Sequence, residues 1–317
     1  MKSALRNASF VAALVGLIVT STPLSAATGE VTLSGSTWIG KVDGSTRYTG
    51  SSMTAAANAC VAAMSSGTVN IRNSGTKTGA IGIKSNITID GTGRTISGGG
   101  TVGIVYAQNS SSIGGRIINM NSTDWYGMYF RTCSGQNVTG TGGKANLGFR
   151  IDNCKGGTGY NLTVGSPTGS GGGAHFVETY GISGVSFGTV TATNWGNCGV
   201  LLNKSTSSTG TAVNANRCGN GTGYAAFRTA NDNLGPTTLG TVNATNGCGR
   251  GFYSTTNSQN TTISTVNAYD STGIGIWLGS VSKNVRVNSG TLARNAGGCW
   301  TDSNPAGSGN SVRVNCQ

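Results

Sequence analysis

The sequence predicts an all-β protein, a parallel β-helix in which short strands stack coil upon coil behind one capping helix. Three observations lead to this prediction. A short alternating segment recurs at intervals of about 21 to 27 residues, and a second repeat runs offset from it, as in solenoids. The third is composition: 54 of 317 residues are Gly and only 9% are charged, which favours many turns and excludes a disordered polyelectrolyte.

The first repeat places an apolar residue at a fixed distance from a small one. Its copies are residues 127–131, 148–152, 173–176, 199–203, 225–228, 251–253 and 275–278. We predict one inward column of stacked side chains, formed by Phe130, Ile151, Phe176, Leu202, Phe227 and Leu278. Ser254 interrupts this column, so either the register slips by one residue there or the core narrows. Each buried side chain should contribute roughly 1.5–3 kcal/mol.

The second repeat begins with threonine and has its copies at residues 189–190, 211–215, 241–244, 265–268 and 291–293. Its offset from the first repeat means that every coil carries at least two strands. Stacked strands of this kind, joined by Gly, Asn and Ser turns, form a parallel β-helix.

The N-terminal part has a different organisation. Lys2 and Arg6 precede the apolar run 10–19, and small residues at 25–27 offer a cleavage site, so we expect residues 1–27 to be a secretory signal peptide. Residues 28–317 should form a single domain. Within it, residues 54–64 predict a helix that covers the open end of the solenoid, and residues 67–71 and 81–93 predict the first strands.

Secretion into an oxidising compartment favours disulfides among the eight cysteines. Cys133 and Cys154 each lie two residues beyond a repeat, so we expect them to pair, and Cys299 and Cys316 could tie down the C-terminus. A zinc site is not expected, because there is one histidine and no CxxC pair. Glycan acceptor sequences occur at Asn86, Asn121, Asn137, Asn161, Asn203, Asn220, Asn243 and Asn260, although turn composition accounts for most of them.

Strand alternation puts the neighbours of the inward column on one outer face. This predicted stripe consists of Tyr129, Arg131, Arg150, Asp152, His175, Leu201, Asn203, Arg228, Tyr253 and Trp277, with Glu178 and Asp232 in the adjoining turns. The whole chain has nine acidic residues and one histidine, and the histidine and three of the acidic residues lie on this stripe or in its turns. Aromatic rings stack on sugars, arginines pair with carboxylates and carboxylates bind Ca²⁺. The stripe therefore predicts a polysaccharide groove, the alternative being an ordinary solvated sheet face.

The opening segment 83–93, behind a predicted helix and ahead of the repeats, resembles the pectate-lyase-like superfamily. The resemblance implies a secreted right-handed parallel β-helix that acts on polysaccharides. The paired-aspartate motifs of polygalacturonases and the Trp-Ile-Asp-His motif of pectate lyases are absent from the sequence. No catalytic residue can therefore be carried over by motif.

Within this resemblance, β-elimination on a uronic-acid polymer is the expected reaction, and arginine can act in it as base and as charge stabiliser. We expect Arg228 or His175 to be the base, with Arg131 and Arg150 as carboxylate clamps. Tyr129, Asn203, Tyr253 and Trp277 would bind substrate, while Asp152, Glu178 and Asp232 would be ligands for a Ca²⁺ cofactor. The net charge of +12 favours an acidic polymer as partner.

Two alternatives remain open. Asp152 and Glu178, one rung apart at about 5 Å, or Glu178 and Asp232 at about 10 Å, would allow hydrolysis. A secreted carbohydrate-binding or elicitor protein would use the same stripe without catalysis. We expect a monomer with no nucleic-acid partner, because no dense Lys/Arg run occurs, and no membrane span, because the run 10–19 is too short.

Overall fold

A computed structural model describes residues 26–98 apart from Ser85, the strands between residues 106 and 183 as backbone, and residues 186–317 apart from residues 220–222. Over these residues the chain is a parallel β-solenoid with very little helix, as the repeats predict. Residues 1–25 of the predicted signal peptide, Glu178 and the pair Cys133 and Cys154 lie outside the described residues.

The N-terminal region combines a small antiparallel sheet with the first parallel coils. Its elements are β1 (Ala27–Ser34), β2 (Thr37–Val42), β3 (Ser45–Gly50), α1 (Met53–Ala63), β4 (Gly67–Ile71), β5 (Gly75–Thr76), β6 (Ile87–Asp90) and β7 (Thr95–Ser97). Strand β2 pairs antiparallel with β1 and β3, whereas β1 pairs parallel with β4 and β4 with β6. The antiparallel strands were not predicted, because the search for rung repeats does not detect hairpins.

Helix α1 lies within one residue of the predicted range. Ser52 is its N-cap, and the Ser52 hydroxyl accepts a hydrogen bond of 3.2 Å from the amide of Ala55. Alanine-rich sequence favours the helix intrinsically. Met53, Ala56 and Cys60 are fully buried, so the helix is held by packing against the sheet as well as by its own propensity.

The remaining elements are all strands. They are β8 (Tyr106–Ala107), β9 (Arg116–Ser122), β10 (Tyr126–Arg131), β11 (Asn137–Gly142), β12 (Leu147–Asp152), β13 (Tyr160–Gly165), β14 (Gly172–Phe176), β15 (Ile182–Ser183), β16 (Ser186–Trp195), β17 (Val200–Asn203), β18 (Ser205–Thr206), β19 (Ser208–Cys218), β20 (Phe227–Ala230), β21 (Thr237–Thr245), β22 (Phe252–Ser254), β23 (Thr261–Tyr269), β24 (Ile276–Leu278), β25 (Arg286–Ala293), β26 (Trp300–Asp302), β27 (Ser311–Val312) and β28 (Asn315–Cys316).

The first repeat forms a nine-stranded parallel sheet in the order β8, β10, β12, β14, β17, β20, β22, β24, β26. We call it the short-strand sheet. The predicted inward column continues from Phe176 to Leu202, but Leu202 pairs with Thr229 and not with Phe227. Thr229 then pairs with Ser254, which is in register after all. The predicted place of Phe227 in the column was therefore wrong by two residues. Because strand side chains alternate, Phe227 still lies on the inner face, where its ring stacks on that of Phe252 with centroids 5.6 Å apart.

The second repeat forms the long-strand sheet, in which β9, β11, β13, β16, β19, β21, β23 and β25 pair in parallel succession. Val190, Val213, Val242 and Val266 make one buried ladder. Its last copy differs from the prediction: Val266 pairs with Gly290, and Thr291 lies opposite Asn267. This shift is again of two residues, so inner and outer faces are preserved.

The core lies between these two sheets and is filled by like residues from successive coils. Large and small side chains compensate one another where the ladder is irregular. A Cβ atom at Gly210 would lie 2.2 Å from the Phe187 ring, which occupies the space that a side chain would need. Trp195 is fully buried, and interior close packing of this kind accounts for much of the stability.

Cys299 and Cys316 form a disulfide across a sequence separation of 17 residues, as predicted for the C-terminus. In the described part of the chain Cys60, Cys198, Cys218 and Cys248 are buried free thiols. Among the residues that the structure describes, no helix is both long and apolar enough to cross a membrane.

Candidate functional site

The outer positions of the short-strand sheet align as one column, with one residue from each rung. By Cα pairing this column is Tyr106, Tyr129, Arg150, His175, Leu201, Arg228, Tyr253, Trp277 and Thr301. The seven predicted stripe residues in this column, from Tyr129 to Trp277, therefore occupy equivalent backbone positions. Consecutive rungs are about 4.8 Å apart, so the backbone of His175 lies about 10 Å from that of Arg228.

A second column begins two residues further along each strand. Arg131 pairs with Asp152, and Asn203 pairs with Ala230, each on an adjacent coil. The backbone register thus places the predicted carboxylate clamp Arg131 beside the predicted calcium ligand Asp152. The side chains between residues 106 and 183 lie outside the described residues. The roles expected of Tyr129, Arg131, Arg150, Asp152 and His175 therefore stay predictions.

Five side chains meet on the outer surface of the last described rungs. This arginine–aromatic cluster consists of Tyr224, Arg228, Arg250, Tyr253 and Trp277. Tyr253 and Trp277 stack with ring centroids 4.8 Å apart and planes 17° from parallel. The Arg250 guanidinium carbon lies 4.6 Å from the Trp277 centroid and 5.1 Å from that of Tyr253.

Arg228 approaches the same surface from the neighbouring rung. Its guanidinium carbon lies 5.3 Å from the Tyr253 centroid and 6.0 Å from that of Tyr224. Each such cation–π contact contributes about 0.5–2 kcal/mol, depending on how far the cation is desolvated. The rings thereby hold two guanidinium groups in fixed positions close to each other.

The two arginines are only partly satisfied as hydrogen-bond donors. Arg250 donates from Nη1 to the backbone oxygen of Tyr224 at 3.2 Å. The Nε atoms of Arg228 and Arg250 are both buried, and neither has a hydrogen-bond partner. Buried donors are normally paired, so hydrogen bonding is incomplete where these two Nε atoms lie.

Electrostatics in the cluster follow from burial and from like charge. Burial lowers the pKa of Arg250, and the charge of Arg228 lowers it further, while Tyr253 opposes the shift. Beneath the cluster, burial raises the pKa of the Cys198 thiol, and hydrogen bonds from the Ala225 backbone and from Arg228 counteract this. Two positive charges held close together at a partly desolvated surface favour an anionic ligand.

Of the predicted residues Asn203 and Asp232, the first is placed differently from the expectation and the second as expected. Asn203 was expected on the exposed stripe, but it is only 9% exposed, and its Oδ1 atom is buried without a partner. It is the last residue of β17, and β18 begins two residues later. Asp232 is exposed, as expected of a turn residue, and its Oδ1 accepts a hydrogen bond of 2.8 Å from Asn257.

The described residues do not by themselves fit a calcium site. They contain no group of three or more His, Cys, Asp or Glu side chains that could hold a metal ion. Asp232 therefore supplies one carboxylate where Ca²⁺ takes 6–8 oxygen ligands. The expected partners Asp152 and Glu178 belong to the part of the chain without described side chains.

Sequence reasoning missed Arg250 and Tyr224. Both lie in turns just before a strand and reach the column from the side, so strand alternation does not reveal them. Arg250 stands between Gly249 and Gly251, immediately ahead of a repeat. A search for charged residues between glycines at rung starts would have found it.

Comparison with known proteins gives little further information. No family model matches the chain, and no curated protein matches it. A solved structure that matches is the A-module of a mannuronan C-5 epimerase from Azotobacter vinelandii, with 12% identity, a TM-score of 0.43, and coverage of 84% of this chain and 94% of that one. At this score the likeness carries no weight for fold or activity, and the site geometry alone supports the proposal that follows.

Proposed function

We propose that this protein is a secreted polysaccharide-active enzyme that binds an acidic polysaccharide along the outer column of the short-strand sheet and cleaves it by β-elimination. The observation that carries the proposal is the arginine–aromatic cluster, in which the buried Nε atoms of Arg228 and Arg250 lack partners beside the stacked rings of Tyr253 and Trp277.

Each part of a uronic-acid unit has a chemical counterpart in the cluster. A carboxylate takes the paired donors of a guanidinium in a fork geometry, and this satisfies the Nε atoms. The Trp277 ring offers an apolar face on which a sugar ring can stack. The net charge of +12 attracts a polyanion over longer distances, so an acidic polymer meets a surface of opposite sign.

The same residues support an elimination. A base must take the proton α to the uronate carboxylate, and positive charge must stabilise the intermediate; electrons then move to expel the oxygen at the β position, which takes up a proton from the protonated base or from water. We assign the proton transfer to Arg250, in place of the base expected from the sequence, because its guanidinium lies against the Tyr253 and Trp277 rings beside Arg228; burial and the charge of Arg228 also lower its pKa. Arg228 then holds the carboxylate. His175, two rungs away, would contact a neighbouring sugar unit.

The finer features of the fold belong to the same proposal. We propose a right-handed solenoid of the pectate-lyase-like kind, since parallel crossover connections are almost always right-handed. Helix α1, whose apolar residues are buried against the first strands, serves as the N-terminal cap. Calcium binding by Asp152, Glu178 and Asp232 is part of the same proposal, and the elimination itself does not require it.

The experiment follows ultraviolet absorbance of the unsaturated product during incubation with a panel of uronic-acid polymers, with and without Ca²⁺. We expect a rise for at least one polymer that Arg250→Ala abolishes and that Arg286→Ala, an exposed arginine outside the cluster, leaves unchanged. New reducing ends without absorbance would show hydrolysis instead. If neither signal appears while the polymer still binds, the protein is a non-catalytic carbohydrate-binding protein.

A further inference from the structure

Two buried cysteines from adjacent coils meet outside the proposed polysaccharide site. Cys218 is the last residue of β19, and Cys248 follows the end of β21, the next strand of the long-strand sheet. The backbone amide of Cys218 donates to the Sγ atom of Cys248 at 3.3 Å. Both side chains are completely buried. Their contact is therefore part of the packed interior and not of a surface turn.

The backbones on either side hold the two residues together. Asn216 pairs with Thr245 just before them, and the amide of Gly249 donates to the Cys218 oxygen at 2.9 Å just after. Adjacent strands bring Cα atoms to about 5 Å, which is within the range that a disulfide spans. The position is therefore fixed by ladder hydrogen bonds on both sides.

The thiols also interact directly with each other. The hydrogen bond with Cys248 raises the pKa of Cys218, to which burial adds, and the same bond lowers the pKa of Cys248. Their other contacts are backbone oxygens, with Cys218 Sγ 3.3 Å from Ala192 O and Cys248 Sγ 3.7 Å from Ala215 O. Among the described residues no further ligand stands near enough to make a metal site.

We propose that Cys218 and Cys248 form an intramolecular disulfide that fastens the coil of β19 to the coil of β21. Each thiol gives up a proton, the two sulfur atoms bond, and the two electrons released reduce a disulfide oxidant to its thiols. Because the pair is buried in the folded chain, the bond forms as the coils assemble. It then closes a loop across a separation of 30 residues.

The bond would act on a part of the protein that the C-terminal disulfide does not reach. Cys299 and Cys316 fasten the end of the chain, whereas Cys218 and Cys248 lie in the middle of the described coils. A solenoid unfolds through its neighbour-to-neighbour contacts, so a covalent link between two inner coils opposes their separation. The cluster arginine Arg250 lies two residues after Cys248, so the link would also hold the start of that rung.

The test is peptide mapping without reduction. The full chain is unfolded, refolded in glutathione buffers from reducing to oxidising, denatured again, alkylated and digested, and the peptides are identified by mass. We expect a cross-linked peptide pair containing Cys218 and Cys248, with Cys60 and Cys198 alkylated. The disulfide between Cys299 and Cys316 serves as the reference for full oxidation.

Alkylation of both residues at every glutathione ratio would overturn the proposal, and so would cross-linking of either residue to another cysteine. A second measurement counts free thiols in denaturant. The oxidised wild type and a Cys218→Ala/Cys248→Ala double variant should show the same number, whereas a Cys218→Ala single variant should show one more. If the wild type shows two more thiols than the double variant, the pair stays reduced.

Discussion

The two outer faces of the solenoid differ in how the equivalent side chains of successive rungs stack on one another. On the long-strand sheet Asn214, Asn243 and Asn267 stack on successive rungs, and each amide donates to the one before it at 2.9 and 3.0 Å. The ladder ends where the Thr291 amide donates to Asn267 Oδ1. On the short-strand sheet the equivalent stack is Arg228, Tyr253 and Trp277, in which no two members are alike.

The difference shows what each face is suited for. The asparagine ladder satisfies its own donors and acceptors, so it gains stability and offers little to a ligand. The arginine–aromatic cluster leaves two buried Nε atoms unpaired, which costs stability in the free protein. Unpaired groups of this kind are expected where a ligand completes them, and this contrast supports the assignment of the short-strand sheet as the binding face.

The largest effect on binding is expected from removal of Arg228 or Arg250, whose Nε atoms are unpaired. Arg228→Ala and Arg250→Ala should each weaken binding of the acidic polymer by about 10- to 100-fold, because each removes a charged hydrogen-bond donor. Affinity would be measured by calorimetry or by affinity electrophoresis at low and high salt. Arg286→Ala should leave it within error, and an equal loss in all three variants would mean that only net charge matters.

The aromatic part of the cluster should contribute less. Trp277→Ala removes the stack on Tyr253 and one face for Arg250, so we expect a loss of about 5- to 10-fold in affinity. Trp277→Phe should retain most of the binding. Ser303→Ala removes only the 3.0 Å hydrogen bond from the indole Nε1, and it is the matched control. Stronger binding by the alanine variant would show that the ring blocks the site.

The asparagine ladder should respond in stability and not in binding. Asn243→Ala leaves Asn214 without its donor and Asn267 without its acceptor, so unfolding should become easier by about 1–2 kcal/mol. The measurement is the midpoint of chemical denaturation, with the exposed Thr238→Ala on the same strand as control. A loss of polymer affinity in Asn243→Ala would contradict the separation of roles between the faces.

How far the sequence predicts these features depends on side-chain periodicity. The parallel stacking and the outer column from Tyr129 to Trp277 follow from alternation and are confirmed in the backbone register. The register error at Phe227 arose because Thr229 and Ser254 are polar yet fully buried. Backbone hydrogen bonds, and not hydrophobicity, set the register there.

The candidate site was predictable only in part for a related reason. Arg228, Tyr253 and Trp277 lie on the repeat and were found, whereas Arg250 and Tyr224 come from turns of unequal length. Asn203 shows the converse, because it has the periodicity of an outer position and is nevertheless only 9% exposed. Turn conformation depends on tertiary contacts that no period in the sequence records.

The smallest expected effect on stability concerns Arg294, an arginine that forms an ion pair with a carboxylate. Arg294 contacts Asp270 on the adjacent coil of the long-strand sheet through two hydrogen bonds, of 2.7 and 3.0 Å. The hydrogen bond from Arg294 lowers the pKa of Asp270 below its usual value. A carboxyl with a lowered folded-state pKa contributes stability above its unfolded pKa, and that contribution is lost as the pH falls through the folded value. Both side chains are exposed, so salt should screen the effect strongly.

NMR titration of the carboxyl carbons provides the check. The pKa of Asp270 should lie below the usual aspartate value in the wild type and return toward it in Arg294→Ala. The denaturation midpoint of Arg294→Ala should differ little from wild type at neutral pH and not at all in strong acid, where Asp270 is protonated in both. A large loss of stability at neutral pH would mean that Arg294 has a structural role beyond its ion pair. Arginines with and without unpaired Nε atoms would then differ less in their contribution to stability than the comparison of the two faces implies.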